Sequence, residues 1–307
     1  MADKTIIGID IGGTNFRIGA VSADNTVSSF YKIPVGQVFH TADPLDDLVN
    51  YLLDYSRGML VKAAAIGFPA TLDRERQTVL QAPNIPFMER LPVVQRLTQA
   101  LGFPVFIERD VTMAMHYDLA RYQLPNRGII VGIYFGTGIG NAIFIDGVPL
   151  TGKNGVAGEL GHIPADGSGL PCGCGNTGCI ENLAGGKYLA RLCREVYPGT
   201  PIGRLFAEHG GEPLMRQFVD RMSMAVATEI NILDPDYVLI GGGVPNMDGF
   251  PRKLLLERVL FHTRTPSPAQ NLEIIFTGDG EAKCVIGAAR YANVNCQSNS
   301  RGGAAAT

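Results

Sequence analysis

Ile6-Ile7-Gly8-Ile9-Asp10-Ile11-Gly12-Gly13-Thr14 is an apolar run of strand length that ends in a Gly/Thr turn, and Phe16 to Val21 adds a second apolar run. The device recurs as Ile130-Val131-Gly132-Ile133-Tyr134-Phe135-Gly136-Thr137-Gly138, followed by Asn141 to Asp146. A shift of 124 positions lays Gly8, Ile9 and Gly12 on Gly132, Ile133 and Gly136. Two apolar runs around a glycine turn read as a β-hairpin. The overlay therefore predicts two lobes of similar design, each opening with a hairpin; a coincidence of glycine-rich strands is the other reading. Outward from the hairpins the pattern alternates. Helices are expected at 43–57, 91–101, 110–122, 213–233, 251–262 and 281–293, and strands at 62–68, 104–108, 236–240 and 272–276. Such alternation argues for α/β lobes with mostly parallel sheets and hairpins at one edge. The expected division is a first lobe at 1–125, a second at 126–294 and a flexible tail at 295–307, joined in the Pro125-Asn126-Arg127-Gly128 stretch. Return of the last helix to the first lobe stays open.

Bulk properties narrow the class. Hydrophobic residues make up 46% and charged residues 18% of the 307, the balance of a globular chain. A net charge of −3 gives no electrostatic reason to expect nucleic acid as a partner. The start lacks the apolar core of a signal peptide, and no apolar run approaches the roughly 18–20 residues that span a bilayer. A cytoplasmic setting without membrane attachment is expected. Three of the six cysteines crowd into Cys172–Cys179, which fits a metal site in a reducing compartment better than disulfides.

Three glycine turns follow expected strands: Gly12-Gly13-Thr14, Gly136-Thr137-Gly138 and Gly241-Gly242-Gly243. Glycines let backbone N–H groups approach phosphate oxygens, and the carboxyl ends of strands are where α/β sheets hold nucleotides. Singly each is a tight turn; together they point to a nucleotide such as ATP. Asp10 is a candidate ligand for Mg²⁺, a hard cation that prefers carboxylate oxygen. Gly147–Asn154 nearly matches a Walker A loop, but Asn154 stands where Ser or Thr would hold Mg²⁺, so it reads as an ordinary turn. His162, Cys172, Cys174 and Cys179 supply a full tetrahedral set for a structural Zn²⁺, with no position left for water. Unrelated buried thiols are the alternative, and Cys193, Cys284 and Cys296 read as core or tail residues.

Asp10-Ile-Gly-Gly-Thr, Gly158-Glu-Leu-Gly-His162 and Cys172-Gly-Cys-Gly-Asn-Thr-Gly-Cys179-Ile-Glu181 together resemble the ROK family of repressors, open reading frames and sugar kinases, over Ile6 to about Ala292. The resemblance implies a two-lobed actin-like, hexokinase-like fold, a homodimer, and an ATP-dependent hexose kinase. It also implies that Asp110 is the catalytic base, that Glu159, His162 and Glu181 bind sugar hydroxyls, with His162 also on zinc, and that Asn84 is a further sugar contact. Asp110 would accept the proton of the primary hydroxyl as it attacks the γ-phosphorus of MgATP.

One position departs from the family pattern. Most kinases of the family carry Asn before the catalytic Asp; here it is Arg109. Glu108-Arg-Asp-Val-Thr, Gly67-Phe-Pro-Ala and Ala82-Pro-Asn-Ile-Pro resemble the D-allose kinases of the family. An Arg cannot accept the hydrogen bond that an Asn carbonyl would, so it changes which epimers are tolerated. Arg109 turned away and paired with Glu108 is the duller reading. Other substrates of the family's kinases (glucose, fructose, N-acetylmannosamine) and a non-catalytic sugar sensor are the alternatives. A repressor is not expected, because the first glycine turn leaves no room ahead of it for a helix-turn-helix.

Overall fold

The computed structural model describes residues 4–165 and 169–302. The first unit is built from residues up to Leu124, from Thr151–Ala157 and from Gly280 onward; the second comprises Pro125–Leu150 and Gly158–Asp279.

In the first unit the order is β1 (Thr5–Ile11), β2 (Asn15–Val21), β3 (Val27–Pro34), α1 (Pro44–Tyr55), β4 (Val61–Phe68), β5 (Thr71–Leu72), β6 (Val79–Gln81), α2 (Val93–Leu101), β7 (Val105–Arg109) and α3 (Asp110–Arg121). In the second it is β8 (Ile129–Phe135), β9 (Ile139–Ile145), β10 (Val148–Pro149), α4 (Glu181–Ala184), α5 (Gly186–Glu195), α6 (Leu205–His209), α7 (Pro213–Leu233), β11 (Tyr237–Gly241), α8 (Arg252–His262) and β12 (Ile274–Phe276). A last helix, α9 (Lys283–Gly302), belongs to the first unit through residue 280 onward.

The duplication extends well past the hairpins. The first sheet runs β3-β2-β1-β4-β7 and the second β10-β9-β8-β11-β12, the same order with corresponding strands in corresponding places. In each, the hairpin is antiparallel and the inner strands pair in parallel. The shift of 124 carries both ends of β1 onto β8 and both ends of β2 onto β9.

Period-two alternation in β1 sorts its faces. Ile7, Ile9 and Ile11 join the core under α1 and α2, with Leu48, Leu52 and Leu97. Helix α1 starts where Asp43 accepts hydrogen bonds from the N–H groups of Leu45 and Asp46, and Pro44 takes the first position. Ile6, Gly8 and Asp10 share the other face, where α3 and α9 pack through Met113, Val285, Ala288, Ala289 and Ala292. A Cβ on Gly8 would lie 2.0 Å from the Val285 carbonyl oxygen, and one on Gly287 would lie 1.8 Å from that of Met113. Small residues therefore bring α9 onto β1 and α3. Lys283 and Asp118, both buried, add an ion pair at 2.7 Å between α9 and α3. Gly287→Ala is expected to cost about 1–3 kcal/mol or more by overpacking, read as a lower urea midpoint; an unchanged midpoint would show that the helices are free to separate.

Thr151–Ala157 goes with the first unit, which corrects the expected second lobe of 126–294, and the last helix, whose return was open, joins it there. The tail expected from 295 is helical as far as Gly302, because Cys296 and Tyr291 pack against the alanine-lined face and Asn295 donates to the Tyr291 carbonyl. Residues 303–307 of that expected tail lie outside the described residues. The chain first changes unit between Leu124 and Pro125. Strand β3 was not expected, since its pattern is largely exposed and it ends in Pro34. Among the described residues no helix is long and apolar enough to cross a membrane.

Candidate active site

In the first unit the β1–β2 turn is closed by Gly12 N–H donating to the Asn15 carbonyl at 2.8 Å. Gly13 is exposed, yet a Cβ there would lie 3.1 Å from the Asn84 carbonyl oxygen, so the 82–86 loop rests against the glycine turn. Asn84 thereby sits beside Gly13. Asp10 faces Arg17 across the hairpin register, and Arg17 Nη1 donates to Asp10 Oδ2 at 2.8 Å. Burial raises the Asp10 carboxyl above the usual carboxylate range, and the Arg17 charge and hydrogen bond oppose the rise. Arg17 was missed in the sequence; the two-residue alternation around the turn was the available signal.

Strand β7 runs into α3 without a break, and Asp110 is the first residue of that helix. Its Oδ1 accepts the Val111 N–H at 2.7 Å, and the helix N-terminus favours its negative charge. Gly67 makes the approach possible, since a Cβ there would lie 3.3 Å from the Asp110 Cα. Cys284 Sγ lies 3.9 Å from the Asp110 carbonyl oxygen. Its thiol is pushed well up by burial, then by the charges of Asp10 and Asp110. Cys284, expected as a plain core residue, thus lies against the backbone at Asp110, and Asp10 pairs with Gly67, the residue that the Asp110 Cα approaches. Arg109 is buried, and its Nη1 donates to the Ala157 carbonyl at 2.9 Å. The Glu108 carboxylate accepts from Arg76 Nε and from the Arg109 backbone N–H, both at 2.8 Å.

In the second unit the β8–β9 turn is held from several sides. Gly136 N–H donates to the Gly138 carbonyl at 3.0 Å. The carbonyls of Gly136 and Thr137 accept from Gly186 and Lys187, at the start of α5, at 2.8 and 2.9 Å. Glu181 Oε2 accepts from Ile139 N–H at 2.9 Å, and it would meet a Cβ on Gly138 at 1.9 Å. Glu181, expected with the sugar, therefore stands against the turn expected to face phosphate. At the third turn Gly241 is crowded by Thr277 and Tyr134, and Gly242 has φ +91° beside the Phe135 carbonyl. Packing accounts for those two glycines; Gly243 alone is exposed with open space at its Cβ position.

His162 closes the short 3₁₀ turn Leu160–His162, and the cysteines lie on a tight loop with φ +97° at Gly175 and +74° at Gly178. Cys172 N–H donates to the Asn176 carbonyl and Gly175 N–H to that of Cys172. These bonds turn the chain so that the ligand atoms of His162, Cys172, Cys174 and Cys179 all lie within 4.8 Å of one another. Cys174 and Cys179 sulfurs are 3.8 Å apart, and Cys172 Sγ is 3.5 Å from His162 Nδ1. Zn–S of about 2.3 Å and Zn–N of about 2.0–2.1 Å in a tetrahedron give ligand separations of about 3.8 and 3.6 Å. The donor set and its spacing are compatible with structural zinc. Burial, then the neighbouring thiols Cys172 and Cys174, push Cys179 up to about 12. His162 Nε2, the nitrogen not facing the sulfurs, is 3.6 Å from Glu159 Oε2.

Duplicated sheets with a glycine turn at each hairpin, and a Cys₃His knot on the second unit, define a hexokinase-like α/β protein. The ROK family model matches residues 6–294, and the chain belongs to that family. It is 30% identical to a glucokinase of Thermotoga maritima, covering 94% of this chain and 97% of that one. It is 29% identical to an N-acetyl-D-glucosamine kinase of Pectobacterium carotovorum, covering 78% and 84%. A ROK family glucokinase from Streptomyces griseus, solved with glucose and AMPPNP, superposes with a TM-score of 0.76 at 26% identity, covering 94% of this chain and 98% of that one.

Proposed function

We propose that this chain is an ATP-dependent hexose kinase that phosphorylates the 6-hydroxyl of an aldohexose, with D-allose the preferred substrate. The observation that carries the kinase reading is the closeness of Asp10 and Asp110: Asp10, just before the Gly12-Gly13-Thr14 turn, pairs with Gly67 across β1–β4, and a Cβ on Gly67 would lie 3.3 Å from the Asp110 Cα. Asp110 takes the proton of the attacking hydroxyl from its place at the start of α3. Asp10 serves Mg²⁺ on the nucleotide, directly or through water, with Arg17 holding its side chain. The N–H groups of the Gly12–Thr14 and Gly136–Gly138 turns serve the phosphates, and Gly243 is the part of the third turn open to the nucleotide. Asn84, Glu159, His162 and Glu181 bind sugar hydroxyls. His162 Nδ1 and the three sulfurs would hold a structural zinc, and the His162 ring so placed turns its Nε2 toward Glu159. A cytoplasmic homodimer completes the reading, and sedimentation of the purified protein checks the dimer.

The preference for allose rests on Arg109 standing where most kinases of the family carry Asn. Glucose or an amino sugar is the second reading, favoured by the names of the relatives. A coupled ADP-release assay with MgATP and allose, glucose, mannose, fructose, N-acetylglucosamine and N-acetylmannosamine decides between them. Allose is expected to give the highest kcat/KM. A glucose value well above it would overturn the allose assignment, and ADP release from none of them would overturn the kinase reading.

A further inference from the structure

Thr151-Gly-Lys-Asn-Gly-Val-Ala157, which overlaps the end of the near-Walker stretch, runs with the first unit although the chain on both sides of it belongs to the second. The strap is closed on itself by Ala157 N–H donating to the Thr151 carbonyl at 3.0 Å, with φ +73° at Gly152 and +80° at Gly155. Two arginines hold its carbonyls. Arg76 Nη1 donates to Gly155 at 3.0 Å and Arg109 Nη1 to Ala157 at 2.9 Å. Gly155 has room for hydrogen only, because a Cβ would lie 2.7 Å from Arg76 Nη1 and 2.8 Å from the Leu72 carbonyl oxygen.

Glu108 ties the two arginines together. One of its oxygens takes Arg76 Nε and the other takes the backbone N–H of Arg109. The Arg76–Glu108 pair is nearly dry, with side chains 12% and 2% exposed. Arg76 itself sits at φ +54°, a backbone region costly for any residue with a Cβ, and its Nη1 is also anchored to the Asp73 carbonyl. A strained backbone and two buried charges are retained only where the surrounding bonds over-determine them. The residues on which those bonds converge are the strap carbonyls, and the next residues along the chain are Gly158 and Glu159.

We propose that Arg76, Glu108 and Arg109 form a clamp of positioning residues that fixes the strap and, through it, the placement of Glu159. The proposal rests on the reading of Glu159 as a sugar ligand. On this view Arg109 acts on hexose choice through the Ala157 backbone, and Arg76, 33 positions earlier on the β5–β6 hairpin, acts on the same choice. A ligand carboxylate displaced by about 1 Å loses on the order of 10²-fold in efficiency.

The test pairs two readouts on Arg76→Gln, Arg109→Gln and the double variant. Amide hydrogen exchange over residues 151–162 is expected to rise in both single variants, with no further rise in the double. Hexose KM is expected to rise in both by about 10-fold or more while the KM for MgATP stays put, and the double variant should be no worse than the poorer single. Arg76→Lys, which keeps charge and one donor, should recover part of both effects and serves where Arg76→Gln melts early. Unchanged exchange in Arg76→Gln overturns the clamp. A hexose KM that moves with Arg109 but not with Arg76 overturns action through the strap in favour of direct sugar contact. Raised exchange in a protein that phosphorylates no hexose leaves the clamp standing and removes the kinase reading instead.

Discussion

Replacing Asp110 by Asn is expected to lower kcat by on the order of 10²–10⁴-fold while the calorimetric affinity for hexose stays nearly unchanged. Asn has the shape of Asp and keeps an oxygen for the Val111 N–H at 2.7 Å, so the start of α3 is preserved. What it loses is the negative charge and, on the proposed mechanism, the ability to take a proton from the attacking hydroxyl. The loss falls on turnover because the proton moves only as the bond to phosphorus forms. Stability should fall little, since a carboxylate in the first turn of a helix contributes about 0.3–1 kcal/mol. The measurement is a steady-state assay beside a hexose titration and a thermal melt. Turnover within a few fold of the parent would assign the base elsewhere, and a collapse of hexose affinity would make Asp110 a binding residue first.

The second large effect concerns the Cys₃His knot. One zinc per chain is expected in the purified protein, and Cys179→Ser is expected to lose it. The spacing of 3.8 Å between Cys174 and Cys179 sulfurs and of 3.5 Å from Cys172 Sγ to His162 Nδ1 already matches a tetrahedron around zinc. Structural zinc supplies apparent binding energies of about 10–16 kcal/mol in small zinc-finger peptides. Here the knot is a loop on a unit that has its own core, so losing the metal frees the loop and leaves the unit folded. The expected signature is rapid amide exchange over 169–180, a melting point several degrees lower, and a raised hexose KM. The KM effect is expected because His162 Nε2 lies 3.6 Å from Glu159 Oε2, so a ring released from the knot would no longer steady that carboxylate. Cys193→Ser, outside the knot, should keep its zinc. Elemental analysis well below one zinc per chain in the unmodified protein would end the assignment.

Local pattern carried a great deal. The hairpins, the 124-residue offset and the helices at 44–55 and 213–233 depend on residues within a few positions of one another, which is the range over which apolar period and glycine turns act. The thiols of the Cys₃His cluster were legible for the same reason, with three cysteines inside eight residues and glycines between them, and the structure brings His162 to them. Arg17 opposite Asp10 was within reach of that logic, because the register follows from the turn. Other features were out of reach. Cys284 beside Asp110 joins residues 174 positions apart, and Arg76 with Gly155 joins residues 79 apart. Glu181 against Gly138 is a third such case. No periodicity records which distant side chain will fill the space next to a given backbone atom.

The amino-acid order by itself determined the doubled hairpin, the alternation of strands and helices, and a thiol-rich donor set able to hold zinc, because each is a local property of spacing and residue type. Tertiary packing decided the rest. It sent α9 back to the first sheet, where alanines and glycines admit a helix that bulkier residues would hold off. It turned His162 Nδ1 toward the sulfurs and Nε2 toward Glu159, and it gave Arg109 the Ala157 carbonyl as a partner. Those choices are settled by the steric fit and hydrogen-bond demand of buried groups, which exist only once distant segments have met.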